Sequence, residues 1–408
     1  MSALATYSAQ FERYANALTA AERAPRSVQF SRFLDSGFPH KDLEDWRYSD
    51  LTALNERSFE PDVSASDDAL PDLLLDGADT LVYVNGQVHP ASTAARWHSD
   101  TCALPPPAVG IDALNAAFAA GGLRLRLDRG TRLERPLQVL FCSRSDGQPT
   151  MSHQRHLIEL GDDAEAIVLL DFSGTGGERL STHFFDIHLG RNAKLQLYRI
   201  QNEAAGGTLV TRIDARLSRD ARLEGVTVDL GGGFVRHDLD LALAESGAET
   251  TIAGLYAHAR QSHIDNHVRI VHAAPHGTSR MNYRGLVDEK TKAVFNGKVV
   301  VQPGAQKTDS EQRIANVLLS RKAEVNAKPD LEIYADDVKC AHGATVGQLD
   351  AVALSYLRSR GIDHDTARAM LLRAFALQIL DRIEWPALRA RVETALHLPA
   401  ELTLDIDA

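Results

Sequence analysis

A short pattern of turn residues, then alanine, then a strand recurs along the middle of the chain. Its successive alanines are separated by 29, 28, 27, 45 and 30 residues: Ala164, Ala193, Ala221, Ala248, Ala293 and Ala323. A period of about 20–50 residues indicates stacked units that bury their apolar faces only against their neighbours. The interval of 45 residues fits one and a half units.

The same region alternates apolar and polar residues, which is the pattern of half-buried strands. No helix of ordinary length is predicted between 81 and 339, and this disfavours a doubly wound α/β sheet. A β-solenoid (parallel β-helix) fits the repeat best, and a two-sheet sandwich is the alternative. Because a solenoid exposes strand edges at both ends, we expect the flanking helical regions to cover them. The alternation is clearest at 123–127, 185–189, 226–230 and 239–243.

Helical periodicity marks both flanks of this region. Near the N-terminus, Phe11, Tyr14 and Leu18 fall on one helix face. Residues 61–80 are predicted to connect this region to the strands, with a short helix near 69–75. The predicted organisation has three parts, namely an N-terminal helical domain with its linker (1–80), a β-helix core (81–344) and a C-terminal helical domain (345–408).

One C-terminal helix is apolar almost all round. Across 369–380 only Arg373 and Gln378 interrupt the apolar residues. Such a helix is either buried in a core or covered by another protein, and the sequence leaves both interpretations open.

Composition excludes several classes of protein. The 44 basic and 55 acidic residues give a net charge of −11, which disfavours nucleic-acid binding through a basic face. No stretch reaches the roughly 18 apolar residues of a membrane span, and the first residues lack a signal-peptide pattern. Three distant cysteines do not make a disulfide framework, and Cys102 and Cys142 are interpreted as structural. We therefore expect a soluble, cytoplasmic protein with reduced thiols.

Motifs for nucleotide chemistry are missing from the sequence. Gly297-Lys298 is followed by Val299 rather than by the Ser or Thr of a phosphate loop. The glycines at 231–233 lack the spacing of a dinucleotide site. The chain is therefore not expected to hydrolyse a nucleotide by itself.

Cys340 and His342 form the most informative candidate site. They are two residues apart, so on an extended segment both side chains point the same way. Thiolate and imidazole are ligands for iron, zinc or iron–sulfur clusters, and Lys339 could lower the pKa of the thiol. The structural alternative is a buried thiol beside a capping histidine.

Two further groups of residues have a functional and a structural interpretation. His263, Asp265 and His267 share one strand face, which would form a metal site if another coil supplied a ligand; a solvated polar face is the ordinary alternative. Trp46 and Tyr48 flank Arg47, and this group is interpreted as a packing anchor in which Arg47 stacks or pairs, rather than as a binding site.

The last third of the chain resembles the SufB/SufD family of iron–sulfur cluster assembly proteins. The resemblance is carried by the runs AVFNG (293–297), KTD (307–309), LLS (318–320), KPDLEIYADDVKCAHGATVG (328–347) and YLRSRG (356–361). The length near 400 residues and the absence of further cysteines resemble the SufD branch. The resemblance implies a right-handed parallel β-helix flanked by helical domains.

The family resemblance also implies a scaffold without catalysis of its own. It implies pairing with a SufB-like subunit through the β-helices and binding of the ATPase SufC, where ATP would be hydrolysed. Cys340 and His342 match interface positions at which iron or a nascent cluster would be held transiently. The SufC-docking surface would comprise Tyr356 and residues of the apolar helix, namely Met370, Leu371, Ala374, Phe375 and Leu377.

Other expectations concern cofactors and assembly. No stably bound cofactor is expected, and no motif locates the reduced flavin associated with family complexes. The isolated chain could form a homodimer. Two rival functions are a carbohydrate-active β-helix enzyme, which is usually secreted, and a plain interaction module with structural Cys340 and His342.

Overall fold

The computed structural model of the protein describes residues 3–61, 70, 73–106, 108–145, 147–259 and 261–396. The short helix predicted near 69–75 lies partly outside these residues, and described residues 73–75 are not helical. The α-helices are α1 (Ala3–Asn16), α2 (Ala20–Ser36), α3 (Gly110–Phe118), α4 (Ala351–Ser359), α5 (His364–Leu380) and α6 (Pro386–Ala395). Short 3-10 helices occupy Glu44–Trp46, Thr52–Glu56 and Ala95–Trp97.

Strands make up the middle of the chain and extend from Asp79 to Gln348, and one short strand that pairs with β7 precedes them. In chain order they are β1 (Glu60–Pro61), β2 (Asp79–Val84), β3 (Gln87–Val88), β4 (His98–Ser99), β5 (Gly122–Leu127), β6 (Leu137–Ser145), β7 (Thr150–Leu160), β8 (Glu165–Gly176), β9 (Arg179–Leu189), β10 (Lys194–Asn202), β11 (Gly207–Leu217), β12 (Arg222–Asp229), β13 (Phe234–Leu243), β14 (Glu249–His258), β15 (His263–His272), β16 (Thr278–Val287), β17 (Lys292–Val301), β18 (Asp309–Leu318), β19 (Glu324–Ile333) and β20 (Lys339–Gln348).

The strands confirm the predicted β-solenoid. Within the described residues they form two ten-stranded sheets, and from β5 onwards consecutive strands alternate between them. Each strand pairs in parallel with the strand two positions later, as β10 does with β12 and β11 with β13. Sheet 1 runs from β4 to β19 and sheet 2 from β3 to β20. Inward-facing apolar residues of both sheets pack into one continuous core.

The sequence repeat corresponds to one corner of each coil. In the first four copies the residue before the repeated alanine has a positive φ, as at Asp163, Asn192 and Asp220, a conformation that Asn, Asp and Gly adopt most readily. Its N–H donates to a carbonyl of the next coil, for example Asp163 to Arg191 at 2.8 Å. The alanine itself, such as Ala164, is fully buried, so a small side chain is needed there.

The interval of 45 residues marks a change of corner. Ala248 precedes β14 in sheet 2, whereas Ala293 lies in sheet 1 and pairs in register with Ile264. Ala323 precedes β19, in the same sheet as Ala293. The last two copies therefore belong to the opposite corner, half a coil away.

The N-terminal helices pack on the outer face of sheet 1. Their aromatic core includes Phe11 stacked on Phe30 at 4.2 Å between ring centroids, and it contacts Leu180 and Val210 of the solenoid. The helix α3 belongs to this core and is buried along its length. The prediction of no helix among the strands is therefore wrong at α3, which the apolar segment before β5 forms.

The C-terminal helices pack on the outer face of sheet 2. Ile379 and Leu388 contact Tyr198 and Val228 within one apolar cluster, and α6 is tied down by an ion pair between Arg391 and Asp171 at 2.8 Å. None of these helices covers the last strand, because β20 is exposed along almost its whole length. The expectation that helices cover both ends of the solenoid is therefore wrong at the C-terminal end.

Candidate functional site

Cys340 and His342 lie on β20, the last strand of sheet 2. Their register partners in β18 are Ser310 and Gln312, which are inward-facing and almost fully buried, at 2% and 1% exposure. Side chains two residues apart on a strand share a face, so Cys340 and His342 also face the solenoid interior.

Within the described part of the chain, no further coil covers these two residues. Cys340 is half-buried and packs against the edge of the solenoid core, whereas His342 is exposed. In every earlier coil the equivalent positions are closed by the strand that follows. The structure therefore presents one thiol and one imidazole at the open end of the solenoid, on the same face of one strand.

The thiol of Cys340 is not activated within the isolated chain. Its partial burial raises its pKa, the carboxylate of Asp309 raises it further, and a backbone hydrogen bond from Ser310 only partly opposes them. The expectation that Lys339 lowers this pKa is therefore wrong. Burial and Asp309 therefore disfavour the thiolate, which a metal or another cation would favour.

The open end is also an unpaired sheet edge. β19 and β20 each end their sheet, so each presents a row of backbone N–H and C=O groups. Apolar side chains accompany this edge, with Ile333 42%, Tyr334 60% and Val346 48% exposed. Unpaired strands with exposed apolar residues favour the addition of a strand from another chain.

A layer of buried polar side chains lies directly beneath the open end. Ser279 donates to Ser310 at 2.8 Å and bonds His272 at 2.8 Å. Gln312 donates from Nε2 to the carbonyl of Asp330 at 3.1 Å. Sequence reasoning missed this layer, and the signal was confined to position 312, where Gln replaces the apolar Met281 of the coil before. Strand β18 also carries Ser and Asn at inward-facing positions. The last of them, Asn316, is also buried.

The predicted docking residues of the C-terminal helices divide into two groups. Tyr356 on α4 and Ala374 on α5 are exposed, and α4 buries none of its residues. Phe375 instead packs under the guanidinium of Arg284, 4.5 Å from the ring centroid. The apolar helix is thus buried along one side and accessible along the other, so burial in a core accounts for only part of it. The half-buried remainder comprises Met370, Leu371 and Leu377.

The histidine group around Asp265 anchors the N-terminal region. Asp265 accepts from Arg236 at 2.7 Å and from Ser49 at 2.5 Å, and its carboxylate lies 2.9 Å from Nε2 of His267. Ser49 also bonds His263 at 2.8 Å. Burial by itself would raise the pKa of Asp265, but Arg236 and His267 lower it to about 2. This closed network favours a structural role.

Trp46 is the packing anchor that the sequence predicts, with a different cation. The guanidinium of Arg236 lies 3.9 Å from the Trp46 ring centroid and donates to the carbonyl of Asp45 at 2.8 Å. Arg47, the expected stacking partner, is exposed. The anchor therefore joins the segment around Trp46 to strand β13.

Three further features of the described chain concern metal binding, membrane spans and thiols. Its His, Cys, Asp and Glu residues nowhere form a group of three or more that could hold a metal ion. Across the described helices, none is long and apolar enough to span a membrane. All three cysteines are free thiols.

Comparison with known proteins identifies the family. The model of the SufBD core domain of the SUF system for FeS cluster assembly matches residues 141–375, more than half of the chain. The chain belongs to the SufB/SufD family. The matched region includes Cys340, His342 and most of the solenoid.

Relatives of the SufB/SufD family align over most of the chain. The iron–sulfur cluster assembly protein SufD of Escherichia coli (strain K12) is 31% identical over 394 residues, covering 91% of this chain and 92% of the relative. A SufBD-family iron–sulfur cluster assembly protein of Synechocystis sp. is 30% identical over 391 residues, covering 87% and 86%. SufD of Bacillus subtilis (strain 168) is 26% identical over 306 residues, covering 71% and 68%.

Proposed function

We propose that this chain is the SufD-like scaffold subunit of a SufBCD-type complex. The supporting observation is the open end of the solenoid, where an inward-facing thiol and imidazole lie uncovered beside two unpaired strand edges. A SufB-like solenoid would add its own strands there and cover both side chains. In the absence of that partner, a second copy of this chain would pair through the same edges.

Cys340 and His342 would be two of the ligands for iron or a nascent cluster at this interface. A sulfur and a nitrogen donor suit iron and iron–sulfur clusters. Two donors are too few for a stable site, so the partner would supply the others, and metal would be held only while the two subunits are together. The iron is cargo of the complex, not a resident cofactor of this chain.

A SufC-like ATPase would bind the C-terminal helices. Val352 and Tyr356 on α4 are 79% and 57% exposed, and Ala374 continues the accessible surface onto α5. ATP hydrolysis would occur on that partner, so this chain acts without catalysis of its own. Any reduced flavin would belong to the assembled complex, and the complex would act in the cytoplasm.

Co-expression with SufB-like and SufC-like chains tests the proposal. We expect one assembly that takes up iron and sulfide under anaerobic conditions. His342→Ala should leave the assembly intact and lower the cluster yield at least tenfold. His188→Ala is the matched control, because His188 is an exposed strand histidine far from the open end, and it should retain the full yield.

Two results would overturn the proposal. A chain that stays alone in co-expression would remove the scaffold role. A Cys340→Ser, His342→Ala double variant with full cluster yield would favour the plain interaction module instead.

A further inference from the structure

Three parts of the chain meet at one buried carboxylate on the outer face of sheet 2. Asp171 of β8 is 3% exposed. A guanidinium nitrogen of Arg391, on α6, lies 2.8 Å from Oδ2 of Asp171. Gln138 of β6 donates to the same oxygen at 2.8 Å. These contacts join the solenoid to the last helix.

The third part is the strap, residues 73–75, at the end of the segment that leads from the N-terminal region into the solenoid. The carbonyl of Leu73 accepts from Arg391 at 2.7 Å and from Gln138 at 2.9 Å. The N–H of Leu75 donates to Oε1 of Gln138 at 2.9 Å. One guanidinium and one amide therefore hold the backbone of the strap.

The strap covers a small apolar patch on the outer face of sheet 2. Leu73, together with Leu70, packs against this patch. The four residues of the patch are at most 4% exposed, namely Val82, Val84, Leu140 and Cys142. Burial raises the pKa of the Cys142 thiol to about 12. The covered thiol is therefore kept in its unreactive form.

The strap and α6 depend on each other through these polar contacts. In the described part of the chain, Arg391 is the one cation paired with Asp171, and it opposes the rise in the pKa of this carboxyl that burial causes. If α6 moved away, Asp171 and the carbonyl of Leu73 would each lose a donor. A buried charge without its partner is costly, so the site would have to open to water.

We infer that α6 holds the strap closed and thereby controls access to the apolar patch and to Cys142. When α6 moves away, the strap opens and the thiol meets solvent. Because coupling between two sites is reciprocal, opening of the strap also loosens α6. This device goes beyond the proposed function and does not depend on the partners named there.

Alkylation of Cys142 by N-ethylmaleimide tests the inference on the full chain. Cys102→Ser and Cys340→Ser leave Cys142 as the single thiol, and this double variant is the starting chain. Arg391→Met keeps a side chain of similar length but removes its contacts with Asp171 and the strap. We expect it to accelerate alkylation at least about tenfold.

The matched control lies on the same helix. Arg389 pairs with Asp381 and Glu393 and makes no contact with the strap. Arg389→Met in the starting chain should therefore keep the alkylation rate within about threefold. Equal acceleration by Arg389→Met and Arg391→Met would overturn the inference, because general loosening of α6 would then be the cause. An unchanged rate in Arg391→Met would also overturn it.

Urea separates opening of the strap from global unfolding. Local opening exposes little surface, so alkylation of the Arg391→Met variant should hardly depend on low urea concentrations. Alkylation through global unfolding would instead rise steeply from the lowest concentration. A steep rise would overturn the inference.

Hydrogen exchange tests the reciprocal effect without a substitution in α6. Once Cys142 of the starting chain carries the maleimide adduct, the strap can no longer close over it. The amides of α6 should then exchange at least about tenfold faster than in the unlabelled chain, whereas those of α2 should not change. Unchanged exchange in α6, or equal acceleration in α2, would overturn the inference.

Discussion

The two ends of the solenoid are built differently. At the N-terminal end, the first strand of each sheet is paired antiparallel with a short strand: β2 with β3, and β5 with β4. The first of these hairpins turns through Asn85 and Gly86, both with positive φ, which is the preferred geometry for a two-residue hairpin. At the C-terminal end, β19 and β20 have no such partner among the residues that the structure describes.

One column of side chains runs through the molecule and shows the contrast. The inward-facing column of sheet 2 that begins at Leu81 continues through register partners to Ile314 and ends at Ala344. Leu81 is fully buried and Ala344 is exposed. The closed end therefore buries its core side chains, whereas the open end leaves the last of the column accessible.

The largest expected effect comes from placing the same charge at both ends of that column. Leu81→Asp should destabilise the chain by about 4 kcal/mol or more, because it replaces a core side chain with an unpaired buried carboxylate. Ala344→Asp should change stability by less than about 0.5 kcal/mol yet prevent pairing with the SufB-like subunit. Urea unfolding and co-purification measure the two effects. Equal stability losses would contradict the contrast between the ends.

A smaller effect is expected where the N-terminal region is anchored. Trp46→Ala removes a half-buried ring and its stacking with Arg236, so we expect a loss of about 2 kcal/mol. Arg47→Ala is the control, because Arg47 is exposed beside it. Urea unfolding of the two variants checks this prediction, and a similar loss in both would show that the anchor is not the Trp46–Arg236 contact.

Low pH should destabilise the fold through a histidine buried in the solenoid rather than through the open end. Burial lowers the pKa of His183 to about 3, below the unfolded value near 6.5. The folded chain therefore keeps this histidine neutral, and the stability that this provides is complete above about pH 6.5 and falls as the pH drops towards 3. Removing the group with His183→Gln should flatten the stability profile by about 1.4 kcal/mol per pH unit below pH 6.

The control for the acid experiment lies on the same strand. His188 is exposed on β9, so His188→Ala should leave the pH dependence unchanged. Unfolding curves between pH 7 and pH 5 give the slopes. An unchanged slope in His183→Gln would mean that this histidine does not contribute.

The smallest effect is expected from surface ion pairs, which occur near both ends. Arg191 and Asp162 lie 2.6 Å apart near the closed end, and Lys298 and Glu332 lie 2.6 Å apart near the open end. Exposed pairs contribute little because water and salt screen them. Arg191→Ala and Lys298→Ala should therefore unfold like the unmodified chain, and a clear loss at only one end would show that charge also distinguishes the ends.

The solenoid was predictable because each corner requires particular residues locally, and these residues repeat along the sequence. A positive φ followed by a confined alanine, as at Asp163 and Ala164, recurs at the corners before β8, β10, β12 and β14, so the period appears in the sequence itself. The position of α3 was not predictable, because its nine residues are held by tertiary packing within the N-terminal core. Propensity has little influence on such a short helix.

The candidate site was predictable only in part. The spacing of Cys340 and His342 predicted that they share one face of a strand. The family resemblance predicted that they have a functional role. The buried polar layer beneath the site depends on which residues of neighbouring coils are in register, and that register spans 30 residues of chain. The stacking partner of Trp46 was mistaken for the same reason, since Arg236 is remote in sequence and adjacent in space.

The connection between β20 and α4 has a mechanical consequence. Only Leu349 and Asp350 separate the last strand from the first C-terminal helix, so the Cα atoms of Gln348 and Ala351 can never be more than about 11 Å apart. A connection of two residues can extend very little. Any force that draws α4 away from the solenoid is therefore transmitted directly to the strand that carries Cys340 and His342.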